Sequence, residues 1–281
     1  MDIKSIYHNY LVNKQEKTDK KRNVQSFHAS SAGKCYRQQF YSYFNAPKKS
    51  FDDKTLRIFR LGTIIHKDFE LSIIEYINKN VDKLHEESTT IFTEYGIKID
   101  ELNVIGSLDV AQYNNETEIL DVYDIKSAAA YTWQKHFGRK ENRVTNSNDN
   151  YKLQLGTYGL GLKQELQPKK IQLHLFWYNK NTSLVREMLI NPDYVSLASE
   201  YWEGLNEIFK SLDQQFGIDL EMLLDNNIDI DGIIPEEDYG VPFEEWECRY
   251  CAYSDICPSK LSEKTPRQPR KPRTRSRIWT K

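Results

Sequence analysis

Between Val104 and Ser127 the chain reads V-I-G-S-L-D-V-A-Q-Y-N-N-E-T-E-I-L-D-V-Y-D-I-K-S, two β-patterned runs around a polar turn. Strand side chains alternate between faces. Residues 104–113 therefore set Val104, Gly106, Leu108 and Val110 against Ile105, Ser107, Asp109 and Ala111. Asn114, Asn115, Glu116 and Thr117 supply the turn. The second run places Leu120, Val122, Asp124 and Lys126 on one face. If Tyr113 pairs with Glu118, Asp109 lies opposite Val122 and diagonal to Asp124, roughly 7 Å away between backbones.

Two carboxylates and a lysine aimed from apolar strands to one point are expensive to bury. A divalent cation between Asp109 and Asp124 offsets that cost, and both are hard oxygen donors suited to Mg²⁺ or Mn²⁺. Lys126 then orients the attacking water and stabilises charge developing on a phosphate. The competing reading is a solvated hairpin face with an ordinary Asp–Lys pair.

A chain of 281 residues can bury a substantial core. No apolar run reaches membrane-spanning length, and the start, M-D-I-K-S-I-Y-H-N-Y, lacks a signal peptide's apolar core, so a cytoplasmic location is expected. The net charge of −2 hides an asymmetry: residues 263–281 carry eight Lys/Arg and one acid. That proline-containing tail is expected to be disordered when free and to lie along a phosphate backbone, or else only to solubilise the chain. Neither a phosphate-binding glycine loop nor a dinucleotide fingerprint is present.

Residues 1–29 form a polar helix or arm. Ser30 or Ser31 is placed to cap a helix over 32–44 that holds Cys35 within its first turns and carries Arg37, which pairs with an acid or a phosphate. A long helix is expected over 54–80, with Gly62 and His66 one turn apart on one face. A glycine there suggests close approach of another backbone; His66 is a hydrogen-bonded histidine or a third metal ligand. Residues 89–103 resemble a further hairpin. After Ser127 come a short helix and a basic, aromatic loop, where Trp133, His136, Phe137, Arg139, Lys140 and Arg143 suit unpaired bases and phosphates, unless the tryptophan is buried. A helix over 149–166 stacks Gln154 above Tyr158, placing both to bond a water or a phosphate. Strands over 170–178 and 183–190 and a helix over 193–212 close the core; residues 213–247 are acidic and loop-rich.

Cys248, Cys251 and Cys257 follow the spacing C-x2-C-x5-C-P, and Cys35 is the fourth cysteine. Four cysteines, three of them clustered, in a chain without a secretion signal point to a metal site rather than disulfides. Zinc usually takes two C-x2-C knuckles, whereas a 1+3 layout with a trailing Cys-Pro suits a [4Fe–4S] cluster; free thiols are the third reading. Such a site would staple the N-terminal helix to the C-terminal segment.

In this order the pieces resemble the PD-(D/E)XK nuclease superfamily, specifically its RecB-like branch with CRISPR-associated and phage iron–sulfur exonucleases. Cys35-Tyr36-Arg37 matches that branch's Cys-x-Arg, Gly62 with His66 its G-x-x-x-H, and Gly106-Ser107-Leu108-Asp109 its metal-binding Asp after a glycine. Asp124-Ile125-Lys126 matches (D/E)-x-K, Gln154 with Tyr158 matches Q-x-x-x-Y, and Cys248, Cys251 and Cys257 match the cysteine triplet.

The resemblance implies an α/β, restriction-endonuclease-like core: a central mixed sheet flanked by helices, over 30–262, with an iron–sulfur-stapled segment. It implies Mg²⁺- or Mn²⁺-dependent hydrolysis of DNA, with metal held by His66, Asp109, Asp124 and the Ile125 carbonyl, catalysis by Asp109, Asp124, Lys126, Gln154 and Tyr158, and a cluster on the four cysteines. The expected substrate is single-stranded DNA or DNA with free ends, in recombination, repair or phage DNA processing, with a helicase or recombination protein as a further partner. The alternatives are a CRISPR adaptation nuclease and a non-catalytic DNA-binding accessory protein.

Overall fold

The alternating runs of residues 104–127 form the middle of a six-stranded mixed sheet. A computed structural model describes residues 1–20, 25–138, 149–217, 237–238, 241–242, 248 and 251–257. The strands are β1 (Phe27–His28), β2 (Thr89–Ile99), β3 (Val104–Asn114), β4 (Ile119–Ala128), β5 (Lys170–Asn179) and β6 (Val185–Ile190). They run in the order β1-β3-β4-β5-β6, with β2 also on β3. The β1–β3 and β4–β5 pairs are parallel and the others antiparallel.

The β3–β4 register differs from the expected one by two residues: Tyr113 pairs with Leu120, not Glu118. Asn114 is the reason. Its side-chain oxygen accepts from the Glu116 and Thr117 amides at 3.2 and 2.8 Å, so the chain reverses after it. Glu118, at φ 53°, leaves the ladder, and its carbonyl accepts from the Lys169 and Lys170 amides. A two-residue slip preserves the faces, so the expected grouping of side chains survives.

The hairpin expected over 89–103 is one strand. β2 pairs with β3 from Thr89↔Asn114 to Ile99↔Val104, and the reversal is a 3₁₀ turn, Asp100–Leu102, ended by Asn103 at φ 51°. Gly96 sits mid-strand opposite Ser107.

Helices cover both faces: α1 (Ile3–Lys20), α2 (Tyr36–Tyr43), α3 (Asp53–Lys79), α4 (Val81–Glu86), α5 (Ala130–Phe137), α6 (Asp149–Leu166) and α7 (Tyr194–Phe216). Asp52 caps α3, accepting from the Thr55 amide at 2.7 Å. Phe69 of α3 packs on Phe176 and Tyr178 of β5. The alternate residues Leu173, Leu175 and Trp177 are buried with Leu120 and Val122 on the face that α6 covers, where Leu153, Leu155 and Leu162 are buried too. Burial of each such side chain stabilises the fold by about 1.5–3 kcal/mol. α7 lies over α6, and Trp202 Nε1 donates to Thr157 Oγ1 at 2.9 Å, satisfying two groups sealed from water.

Three local expectations change. The first helix after residue 30 starts at Tyr36; Ala29–Ser31 is a 3₁₀ turn, and Ser31 gives its hydroxyl to His28 and Gln39 instead of capping. Cys35 becomes the N-cap residue. Gly62 meets no close backbone; a Cβ there would lie 3.5 Å from Ser127 Oγ, ordinary contact. The polar N-terminal stretch is placed by α3: Leu11 is buried, His8 Nδ1 lies 2.9 Å from Asp53 Oδ1, and β1 enters the sheet. The tail at 263–281 and most of 213–247 lie outside the described residues. Among the described residues no helix is long and apolar enough to cross a membrane.

Candidate active site

One edge of β3 is divided between two strands. β4 pairs with Val110–Asn114 and β1 with Val104 and Ile105, while β2 takes the opposite edge. Gly106 to Asp109 therefore have no strand partner on that edge. Asp109 is the first residue past the β4 ladder, and the register continued by one step sets it across from Asp124. Its Oδ2 accepts from the Ile125 amide at 2.6 Å, so the carboxylate replaces the missing ladder carbonyl. Its Oδ1 lies 3.4 Å from His66 Nδ1, which reaches over from α3. Burial disfavours the His66 imidazolium, but the Asp109 carboxylate outweighs it and raises the imidazole above its ordinary value.

Asp124 and Lys126 point from β4 toward α6. Asp124 is 2% exposed. Its Oδ2 is 2.7 Å from Lys126 Nζ but accepts no aligned hydrogen bond. Burial pushes the Asp124 carboxyl up to about 6; Lys126 opposes the shift and Asp109 adds to it. The Lys126 ammonium also donates to Gln154 Oε1 at 2.9 Å and lies 4.6 Å from the centre of the Tyr151 ring. Gln154 Nε2 donates to Tyr158 OH at 2.8 Å and reaches Asp124 Oδ1 at 3.4 Å. Tyr158 is buried, which raises its phenol. The residues expected from the strand pair and from helix 149–166 thus meet at one point.

Two residues here escaped the sequence reading. Tyr151, three residues before Gln154, walls the ammonium; an aromatic one helical turn from a site glutamine is the available signal. Glu94 of β2, at φ 46°, lies across from Asp109, and its carboxylate accepts from Ser107 Oγ at 3.3 Å. Burial, then Asp109 and Glu70, raise its carboxyl. Nothing in the alternation of β2 marks it.

Among the described residues, no three His, Cys, Asp or Glu side chains gather into a ready metal-binding group. Asp109 is turned onto an amide and an imidazole, and Asp124 onto an ammonium. The donor chemistry nevertheless fits a hard divalent cation: two carboxylates set across from one another, one with a buried oxygen that no aligned donor satisfies, and an imidazole beside them.

Cys35 touches Cys248, and both are buried. Cys251 and Cys257 lie within electrostatic reach of Cys35, and no disulfide joins the four. Burial pushes the Cys35 thiol up to about 12 and raises Cys251. The amides of Arg37 and Gln38 at the start of α2, and that of Tyr253 at 3.4 Å from Cys251 Sγ, supply donors to sulfur. The four thiols are of the soft donor type that binds metal as thiolates, but among the described residues they are not gathered into a metal-binding group.

Two of the expected DNA contacts, Trp133 and Arg37, are buried. Trp133 is 8% exposed and packs on Phe137 at 4.6 Å between ring centres, leaving no face for a base. Arg37 is 3% exposed, which closes its guanidinium to a phosphate on the surface. Arg139, Lys140 and Arg143 lie outside the described residues.

No curated protein matches the chain by sequence. Among solved structures, SSO0001 is 18% identical, with 90% of this chain and 96% of that one covered and a TM-score of 0.43. A protein from Eubacterium rectale described as a candidate exonuclease is 13% identical, with 79% and 95% covered and a TM-score of 0.42. The profile of the PD-(D/E)XK nuclease superfamily, whose members typically use Mg²⁺ or Mn²⁺, matches residues 68–258. That span holds Asp109, Asp124, Lys126, Gln154, Tyr158 and the cysteine triplet, and the chain belongs to the PD-(D/E)XK nuclease superfamily.

Proposed function

We propose that the chain is a metal-dependent deoxyribonuclease acting as an exonuclease on single-stranded DNA or DNA ends, in recombination, repair or phage DNA processing. The observation that carries this reading is the meeting of Asp109, Asp124 and Lys126 where β3 and β4 part. Mg²⁺ or Mn²⁺ held by His66, Asp109, Asp124 and the Ile125 carbonyl would polarise the scissile phosphate and make a bound water more acidic. Lys126 is held from three sides, by Asp124, Gln154 and the Tyr151 ring, so its ammonium is preorganised beside the phosphate to orient the attacking water and stabilise developing charge. Tyr158 fixes the orientation of the Gln154 amide, which keeps its carbonyl on the lysine.

The test is cleavage of end-labelled linear and circular single-stranded DNA with Mg²⁺ or Mn²⁺. Release of mononucleotides or short oligomers from linear DNA alone is the expected result. Cutting of circles would make the protein an endonuclease on the same site.

Cys35, Cys248, Cys251 and Cys257 are assigned to a [4Fe–4S] cluster that ties α2 to the C-terminal segment; the approach of Cys35 to the triplet supports this. Protein purified without oxygen is expected to contain iron and sulfide and to absorb near the blue edge of the visible range. Cys251→Ser is expected to lose that absorbance and to melt at a lower temperature. Zinc in place of iron, or an unchanged melting temperature on loss of metal, contradicts the assignment.

A further inference from the structure

Lys126, Trp177 and Arg186 stand in one row across β4, β5 and β6, with their side chains on the same face. Two strand spacings, about 10 Å, separate the ends of the row at the backbone. The row is paved with rings. Tyr151 lies over Lys126 and meets Trp177 at 5.9 Å, His136 and Phe137 of α5 meet Trp177 at 4.8 and 6.0 Å, and the Arg186 guanidinium lies 5.3 Å from the Phe137 ring.

α5 is fixed over this row. Trp133 anchors its inner side, and the Ala130 amide donates to Asn181 Oδ1 at 2.7 Å. Its outer side carries Tyr131, 72% exposed, with the Lys135 ammonium 5.0 Å from the ring centre. Arg186 is exposed as well. Neither Lys135 nor Arg186 has an acidic partner among the described residues; Glu187, next to Arg186, is bonded to His174. Two cations without an acidic partner among the described residues, and a ring exposed on the outer side of α5, match an unpaired, negatively charged strand whose bases are free to stack. A duplex keeps its base faces stacked and offers Tyr131 nothing equivalent.

We propose that α5 and β6 form a track for one unpaired DNA strand leading from Lys126, with Tyr131 stacking a base and Lys135 and Arg186 taking phosphates. This rests on the reading of the Asp124–Lys126 site as DNA-cleaving.

The experiment measures binding of fluorescein-labelled oligo(dT) by anisotropy in EDTA, over a range of salt, with folding of each variant checked by thermal melting. Tyr131→Ala is expected to weaken binding by roughly 5- to 100-fold and Tyr131→Trp to restore it. Arg186→Ala is expected to reduce the slope of log affinity against log salt by about 0.7. Lys79→Ala, an exposed cation at the far end of α3 paired with Glu75, is expected to bind as wild type does. Wild-type affinity in both Tyr131→Ala and Arg186→Ala, equal losses in Tyr131→Ala and Tyr131→Trp, or no binding of oligo(dT) by wild type would each overturn the track. If the track variants bind normally while Lys126→Ala cuts far more slowly than wild type, the track fails and the reading of the Asp124–Lys126 site stands; if Lys126→Ala cuts at the wild-type rate, the reading of that site fails on its own.

Discussion

Lys126→Ala is expected to lower the rate of DNA cleavage by about 10²–10³-fold while DNA binding persists, the magnitude usual for losing one preorganised charge at a reacting oxygen. The ammonium is already oriented by Asp124, Gln154 and Tyr151, so its removal takes away a charge and not a flexible tether. The same variant has a pH-dependent cost. Asp124 in the folded chain is raised from its ordinary 3.8 to about 6, with burial as the main cause and Lys126 opposing it. A carboxyl that binds its proton more tightly when folded loses stability as pH rises above its unfolded value. Without Lys126 the folded value rises further, so the melting temperature of Lys126→Ala should fall below that of wild type by more at pH 8 than at pH 5. Single-turnover cleavage and melting curves at the two pH values measure both effects. Cleavage at the wild-type rate would remove Lys126 from the chemistry.

Gly156→Ala is expected to destabilise the fold by about 3 kcal/mol, at the upper end of the cost of overpacking. For a chain of this size that lowers the melting temperature by roughly 6–12 °C. α6 and α7 cross so closely at this point that a Cβ would lie 2.1 Å from the Tyr194 carbonyl oxygen and 2.6 Å from its carbon. Both are backbone atoms, so no rotamer change relieves the overlap. Because α6 carries Gln154 and Tyr158, displacing it should reduce cleavage as well. Gly204 on α7 is the control: nothing lies within 4 Å of its Cβ position, and Gly204→Ala should stabilise by about 0.5–1 kcal/mol through helix propensity alone. A Gly156→Ala variant as stable as wild type would show that the two helices have room to part.

Most of the site was legible because its members are linked by local rules. Asp109 and Asp124 fall on one face from alternation, and a register error of two residues cannot undo that. Gln154 and Tyr158 share a helical face whatever surrounds the helix, and α6 spans the expected 149–166. The failures depend on distant chain. β2 reads as a hairpin because its partner is β3, beyond a turn that no glycine or proline marks. The role of β1 rests on two residues, too few to carry a period. Trp133 has the composition of a nucleic-acid contact, but Phe137 and Trp177 turn α5 so that Trp133 points inward and Tyr131 outward. Cys35, not Ser30 or Ser31, stands at the N-cap position of α2, and Ser31 is held by Gln39, a pairing visible only after folding. The glycine of G-x-x-x-H faces a serine, not a backbone.

The most direct measurement is metal-dependent cleavage of end-labelled single-stranded DNA by wild type and by Asp124→Asn side by side. Asparagine keeps the shape of the buried side chain and its place beside Lys126 and Gln154 but removes the charge that a cation needs. The account predicts that wild type cuts only with Mg²⁺ or Mn²⁺ and that the variant, folded and still able to bind DNA, does not cut. Equal cleavage by the two proteins would contradict the assignment of Asp124 and, with it, the site.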